Sequence, residues 1–523
     1  MMLSICAARL RTRLGRVPAS IFRTQTKRSL STGKPTSNSK LYVAIAASGA
    51  SIPAALWWLN TTRDDVPYLE NVSTEHLLIE PGPDEEQVSR ILSQDSQSFL
   101  GRDVAGITRY YCAQLASNNP CEDRLIHGKF DAPWDDAKQW MVWAVFDGHI
   151  GSQTAELLKN QLLSFVRHDL SKLKSLSNTG SVPETFIQRA INDGFVNLDD
   201  SIIKSASRVG QSEESLKDKV KKPAPAWSGS CALLSLYDPV TGTLHVACTG
   251  DSRAVLGQKG PDGKWEATPL SVDQTGRNNE EIARICKEHP GEEDIIKNGR
   301  VLGIEVSRAF GDGQWKWSLD FQQDVQRRSF GPAPLTPKYD VRTPPYLTAE
   351  PVVTSTKIDP TKPSFLIMAT DGLWNTLSSQ QGVDLVGKWL ESRAAERTNN
   401  KSEPAYSVYD SFDFSHFWKG VHWRFVEKRT TIQDDNVAVH LVRNALGGNH
   451  HELIAGRLAF SSPFARRVRD DITVQVAFFG ILGLKKAVIK TANYTSAALV
   501  TSFWQPKINT YQAGLIMECM CIE

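Results

Sequence analysis

Four short apolar runs, rich in β-branched and aromatic residues, are each cut off by a Gly- or Pro-containing turn. They are Trp140 to Phe146 before Asp147-Gly148, Ser230 to Leu236 before Asp238-Pro239, Thr243 to Cys248 before Gly250-Asp251, and Phe365 to Ala369 before Asp371-Gly372. Unbroken runs of that length predict buried strands that end in tight turns. Between them, apolar residues recur at helical spacing over Ser152 to Arg167, Pro183 to Ile203, Glu280 to Glu288 and Ser379 to Ser392, and a further helix is predicted at Glu85 to Leu92 behind Pro81-Gly82-Pro83. Strands and helices do not alternate strictly, which predicts layered α+β rather than a parallel doubly wound sheet. Ser205 to Ala226 and Arg397 to Tyr406 are polar and broken by Pro, Asn or Lys, and read as surface loops.

Before the first of these elements the chain is of a different kind. Residues 1–40 hold nine Lys or Arg and no Asp or Glu, with Leu3, Ile5, Leu10, Leu14, Val17 and Ile21 spaced for a basic amphipathic helix. This resembles a mitochondrial presequence, and Arg28-Ser29-Leu30-Ser31 resembles a matrix-processing site. Leu41 to Leu59 follows as 19 uncharged residues ending in Trp57-Trp58. At about 1.5 Å per residue it is long enough to cross a bilayer once, and it reads as a single-pass inner-membrane anchor or a sorting signal; its Ala-rich composition and Pro53 equally allow passage into the matrix. Residues 60–109 read as a polar arm that leads into the body.

Charge changes the picture once the basic leader is set apart. The net charge of +2 hides a body with 51 basic and 58 acidic residues, so nucleic acid is not expected as a partner and a metal-dependent nuclease is disfavoured. With 41% hydrophobic and 23% charged residues the composition is that of a folded globular protein. The eight cysteines form no Cys-x-x-Cys pair, so neither a disulfide framework nor a zinc ribbon is suggested, and no nucleotide-binding glycine motif occurs.

The chemistry lies in acidic turns placed at the ends of the apolar runs or opening a strand: Glu122-Asp123, Asp147-Gly148-His149-Ile150-Gly151, Asp371-Gly372-Leu373-Trp374 and Asp470-Asp471-Ile472-Thr473-Val474. A single Asp-Gly is a turn signal. Carboxylates converging from distant parts of a chain repel one another unless a hard divalent cation neutralises them. In this order, and together with Ser228-Gly229-Ser230, Gly250-Asp251-Ser252-Arg253-Ala254 and Ser307-Arg308-Ala309-Phe310-Gly311-Asp312, the motifs resemble the metal-dependent Ser/Thr phosphatases of type 2C over residues 110–479. Within that family the likeness is to the mitochondrial pyruvate dehydrogenase phosphatases and their fungal relatives. It is carried by Asn118-Asn119-Pro120-Cys121-Glu122-Asp123-Arg124, Trp315-Lys316-Trp317-Ser318, Thr343-Pro344-Pro345-Tyr346-Leu347-Thr348-Ala349-Glu350-Pro351 and Arg469-Asp470-Asp471-Ile472-Thr473.

The resemblance implies an α-β-β-α sandwich of two antiparallel sheets flanked by helices, and a cleft holding two Mg²⁺ or Mn²⁺ ions. It assigns Asp147, the Gly148 carbonyl, Asp371 and Asp470 to the metals, Glu122 and Asp123 to water around them, and His149 to protonation of the leaving Ser or Thr oxygen. The implied substrate is a mitochondrial phosphoprotein, pyruvate dehydrogenase by the subgroup. Asp251, Arg253, Arg308 and Asp312 read as loop-holding residues. Asn118 stands where many type 2C enzymes carry a phosphate-binding Arg, so no phosphate clamp is assigned, and Gln274 and Asn375 replace residues that would build a third metal site. A catalytically inactive scaffold on the same fold is the alternative. Residues 480–523 have no recognised counterpart in the family and stay unassigned.

Overall fold

The computed structural model describes residues 82–101, 104–177, 182–209, 215–329, 331–359, 361–397 and 424–480. The basic leader, the 41–59 run and the 481–523 tail lie outside them. Among the described residues no helix is long and apolar enough to cross a membrane.

Two antiparallel sheets stack face to face. One has six strands in the order Asp95–Leu100, Ile107–Leu115, Ile472–Phe479, Ser364–Ala369, Arg253–Lys259, Trp265–Pro269; the other has five, Val352–Lys357, Thr243–Thr249, Ala232–Asp238, Asp135–Phe146, Arg124–Ala132. The unbroken apolar run at Trp140 to Phe146 has a direct cause, because both faces of that strand are covered. Met141, Trp143 and Val145 point into the space between the sheets with Leu233, Leu256, Met368 and Phe479. Trp140, Val142, Ala144 and Phe146 point outwards onto Leu158, Leu162, Ile191, Phe195 and Leu198 of two helices, Gln153–Ser171 and Glu184–Val209. The six-stranded sheet is covered in the same way: Tyr111, Val255, Ile367, Val476 and Phe478 pack on Val383, Val386, Trp389, Leu441 and Val442 from helices Ser379–Arg397 and Val437–Leu446. A strand buried on both faces shows no period-two alternation, which is why these strands appear in the sequence as plain apolar runs.

Three expectations are corrected. The Glu184–Val209 helix runs past Ile203 into the stretch read as a loop, because Ala206 continues the buried Leu198, Ile202 spacing, and Leu216–Lys221 forms a further short helix capped by Ser215. The apolar run from Ser230 divides: Gly229–Ser230 joins a small three-stranded sheet with Gly148–His149 and Phe310–Gly311, while Ala232–Asp238 joins the sandwich. The segment read as a lead-in arm contributes to the fold itself. Asp84 and Gln87 form a reciprocal capping box (2.7 and 2.9 Å) that starts helix Glu85–Ser93, and Val88 and Leu92, one turn apart, enter the core against the six-stranded sheet. Asp95–Leu100 then pairs in register with Ile107–Leu115 as the sheet edge.

Leu92 is 1% exposed. Leu92→Ala is expected to lower unfolding stability by about 2–5 kcal/mol, measured by urea denaturation; a loss below about 0.5 kcal/mol would show that this helix adds nothing to the core.

Candidate active site

One strand shows how the sandwich becomes a site. Along Ile472–Phe479 the residues facing the other sheet run from Phe479 and Ala477, both apolar, to Gln475, which donates across the sandwich to the Ala144 carbonyl at 2.7 Å, to Thr473, which donates to Asp123 at 2.7 Å. Asp470 and Asp471 precede the strand at the rim. There the other acidic turns arrive: Asp147 follows the strand ending at Phe146, Asp371 follows the strand ending at Ala369, and Asp251 lies between Thr243–Thr249 and Arg253–Lys259. Carboxylate oxygens of Asp147, Asp251 and Asp371 come within 4.8 Å of one another. Asp251, read from the sequence as a loop-holding residue, therefore belongs to the carboxylate ring.

The two Asp-Gly pairs owe their glycines to close approach. A Cβ on Gly148 would stand 2.4 Å from the Glu122 carbonyl oxygen, and one on Gly372 would stand 2.1 Å from that of Asp471. Each glycine lets one acidic segment lie directly on another. Ile150, an exposed β-branched residue, is held at φ 57°, a conformation such residues rarely adopt, and the next amide, of Gly151, donates to Glu122 at 2.6 Å.

Withdrawal from solvent, then the charges of Asp123, Asp371, Asp470 and Asp251, hold Asp147 well above the ordinary carboxyl range. Burial and the Asp371 charge push Asp470 up to about 7 and Asp251 up to about 8. Asp371 is raised chiefly by burial, and it stands close enough to Asp147 to share a hydrogen bond with it. Carboxyls in hydrogen-bond contact hold a proton between them when no cation does, and hard oxygen donors at this spacing suit Mg²⁺ or Mn²⁺. The ring fits a divalent cation on the chemistry of its donors.

The neighbouring acids have separate tasks. Asp471 is 3% exposed; burial opposes its charge, but the backbone amides of Ser117, Asn118 and Glu122 hold it below the usual range, so it tethers the Glu122 loop to the last strand. Asp123 is 1% exposed and accepts from Thr370 (3.0 Å) and Thr473 (2.7 Å); burial and then the Asp471 charge raise it. Glu122 accepts from Asn118 Nδ2 at 3.1 Å as well as from Gly151. Gln274 and Asn375 have hydrogen-bonding roles: Gln274 accepts from the Gly250 amide at 2.7 Å, and Asn375 donates to Asp371 at 3.2 Å. Arg253 forks onto Asp273, and Arg308 pairs with the buried Glu281 at 2.7 Å.

His149 has a partner that the sequence did not show. The small three-stranded sheet sets His149 beside Gly229 and Gly311 beside the same glycine, and His149 Nε2 meets Asp312 Oδ2 at 2.7 Å. A Cβ on Gly229 would fall 2.1 Å from the ring nitrogen and 2.3 Å from the carboxylate oxygen. Burial opposes the charged imidazole, yet the Asp312 carboxylate raises its pKa above the usual value. Asp312 is fully buried in a left-handed conformation (φ 51°).

A carboxyl whose folded-state pKa lies above its unfolded value keeps a proton that the unfolded chain has lost, so its contribution is full at acid pH and is lost as pH rises through the folded value. Metal-free protein is therefore expected to melt at lower temperature as pH rises from about 4 through about 7 for Asp470 and about 8 for Asp251. Excess Mn²⁺ should raise the midpoint most at the alkaline end, where the ligands are unprotonated. A midpoint indifferent to both pH and Mn²⁺ in differential scanning fluorimetry would contradict the carboxylate ring.

Residues 112–407 match the family model described as protein phosphatase 2C. Over 449 residues the chain is 39% identical to a protein phosphatase 2C homolog of Schizosaccharomyces pombe, covering 84% of this chain and 96% of the relative. It is 35% identical over 450 residues to mitochondrial pyruvate dehydrogenase (acetyl-transferring) phosphatase 1 of Saccharomyces cerevisiae, covering 80% and 77% of the two chains. With the human protein of the same name the identity is 32% over 467 residues, covering 75% and 82%. The acidic turns, the sandwich that mounts them and these similarities agree: the chain belongs to the protein phosphatase 2C family.

Proposed function

We propose that the protein hydrolyses phosphoserine and phosphothreonine esters of mitochondrial proteins, with phosphorylated pyruvate dehydrogenase as substrate, using two Mg²⁺ or Mn²⁺ ions. The observation that carries the catalytic part is the ring of Asp147, Asp251 and Asp371, with Asp470 beside it, at the rim of the sandwich. Asp147, Asp371, Asp470 and the Gly148 carbonyl would hold the ions, and Glu122 and Asp123 would order water around them. When bound, such ions neutralise phosphoryl oxygens and lower the pKa of an attacking water. Retention of every one of these acids speaks against an inactive scaffold.

The remaining steps belong to the side chains. The leaving Ser or Thr oxygen is strongly basic and needs a proton. His149 is the candidate donor, because the Asp312 carboxylate favours the imidazolium against the burial that opposes it. Asp312 occupies Nε2, which leaves Nδ1 to deliver the proton to the leaving oxygen. Asp312 is then a positioning residue that fixes the ring and favours its charged form.

The substrate and compartment rest on the relatives from yeast and human, whose names specify mitochondrial pyruvate dehydrogenase phosphatase, and on the Arg-rich leader. Acting on matrix pyruvate dehydrogenase requires the 41–59 segment to be drawn through the inner membrane, or to leave the catalytic domain on its matrix side.

Wild-type protein is expected to release phosphate from a phosphothreonine peptide only with Mg²⁺ or Mn²⁺, and Asp147→Ala and Asp470→Ala to abolish release. His149→Ala should slow phosphopeptide turnover by about 10²- to 10⁴-fold while slowing an aryl phosphate far less, since a leaving group of low pKa needs little protonation; equal losses on both substrates would remove the general-acid assignment.

Protease treatment of mitoplasts should leave the catalytic domain intact until detergent is added. Digestion without detergent would place it in the intermembrane space and exclude matrix pyruvate dehydrogenase as its substrate.

A further inference from the structure

A phosphomonoester dianion approaching this rim meets a crowded set of carboxylates. Beyond any metal, it needs a fixed cation whose N–H groups are free to point at phosphoryl oxygens. Asn118 cannot serve, because its side-chain amide is already directed at Glu122 (3.1 Å) and Asp471 (3.0 Å). The other arginines around the site are engaged. Arg253 forks onto Asp273, Arg308 onto Glu281, Arg124 reaches Glu156 and two carbonyls, and Arg469 donates to the carbonyls of Ala116, Arg457 and Phe460.

Arg466 differs. Its Nη1 lies 2.8 Å from Asp470 Oδ1 and 3.7 Å from Glu122 Oε2, so this one nitrogen sits at the edge of the ring between the acid that precedes the last strand and an acid of the Glu122 loop. Among the described residues its Nε and Nη2 have no hydrogen-bond partner, and the side chain is 45% exposed. The positive charge is felt inside the ring, where it lowers Asp371 and Asp470 against the burial that raises them. The backbone beneath is firmly held: Ala465 is fully buried, Arg457 donates to the Val468 carbonyl at 3.1 and 3.2 Å, and the Arg469 side chain, three residues on, donates to three carbonyls. A guanidinium anchored at its root, tied by one nitrogen to a carboxylate of the site and open at the others, has the fork geometry that pairs with phosphoryl oxygens.

We propose that Arg466 grips the phosphoryl group of the substrate through Nε and Nη2 while Nη1 stays on Asp470. The assignment rests on the phosphatase reading above. It places the phosphate-binding cation on the turn before the last strand, near the same Glu122 oxygen that Asn118 approaches.

The test compares wild type, Arg466→Gln and Arg466→Lys at saturating Mn²⁺. Three quantities are measured: KM for a phosphothreonine peptide, the affinity for inorganic phosphate by calorimetry, and the affinity for Mn²⁺ itself. Arg466→Gln is expected to raise KM and weaken phosphate binding by roughly tenfold or more, as loss of charge-assisted hydrogen bonds requires, with Mn²⁺ affinity unchanged or tighter because a cation has left the ring. Arg466→Lys should recover part of the phosphate affinity but not all, since a point charge cannot fork. Unchanged KM and phosphate affinity in Arg466→Gln would overturn the assignment. So would a fall in Mn²⁺ affinity that by itself accounts for lost turnover, since that would make Arg466 a support for Asp470 alone. Wild-type protein that releases no phosphate with Mn²⁺ would instead overturn the phosphatase reading, a result distinct from an active wild type with an unaffected variant.

Discussion

Like charges do not gather in a protein unless something compels them, and here four segments far apart in the chain bring Asp147, Asp251, Asp371 and Asp470 to one rim. Much of the local architecture serves to hold that arrangement against its own repulsion. Gly148 and Gly372 remove the side chains that would keep the segments apart, and Asp471 sits in a nest of three amides that fastens the Glu122 loop to the last strand. Thr370 and Thr473 hold Asp123 from below. A polar network in a low-dielectric setting is stable only when nearly every member has a partner. The ring carboxylates have few such partners for the charge they gather, Asn375 on Asp371, Arg466 on Asp470 and the Cys231 thiol on Asp251, and a cation would supply the rest.

A second support comes from outside the sandwich. Ile285, Ile295, Val301, Leu302, Trp315, Leu335, Tyr346 and Leu347 form a separate small core. Tyr346 closes it by accepting from the amides of Arg342 and Thr343 and donating to Glu292 at 2.8 Å. The amide of Trp315 donates to the Asp312 carbonyl at 2.9 Å, so this satellite core governs where the partner of His149 stands. Glu281, paired with Arg308 and Arg284, fixes its other end.

How much of this was legible depends on whether the signal was local. The apolar runs at Trp140 and Phe365 announced strands because both faces of each are covered, and the acids that follow them were legible as a set through their common placement at strand ends. Arg124–Ala132 was not, since only its last residue is fully buried and an edge strand of that kind carries no apolar run. Residue pattern alone did not separate Asp470 from Asp471, adjacent acids of which one faces the ring and the other a nest of amides; only the family resemblance singled out Asp470. Asp251 and Asp312 sit in recognisable motifs, but the ring and His149, 163 positions from Asp312, become their neighbours only through the tertiary fold. The short helix before Asp95 was legible as a helix but was read as part of an entry arm, because its apolar content is just Val88, Ile91 and Leu92, too little to mark a core element.

The ring draws Asp147 from the end of a strand in the five-stranded sheet, and Asp371 and Asp470 from strands of the six-stranded one. Affinity for an ion held there would thereby report how the two sheets are aligned. Contacts well inside the sandwich, such as Trp143 against Phe479 or the Gln475 hydrogen bond to Ala144, set that alignment without approaching any ligand. With an ion bound, the cleft would work as a vernier on the core: a sideways slip of one sheet too small to alter secondary structure would still become a mismatch among oxygens whose distances to the ion are held to within about 0.2 Å.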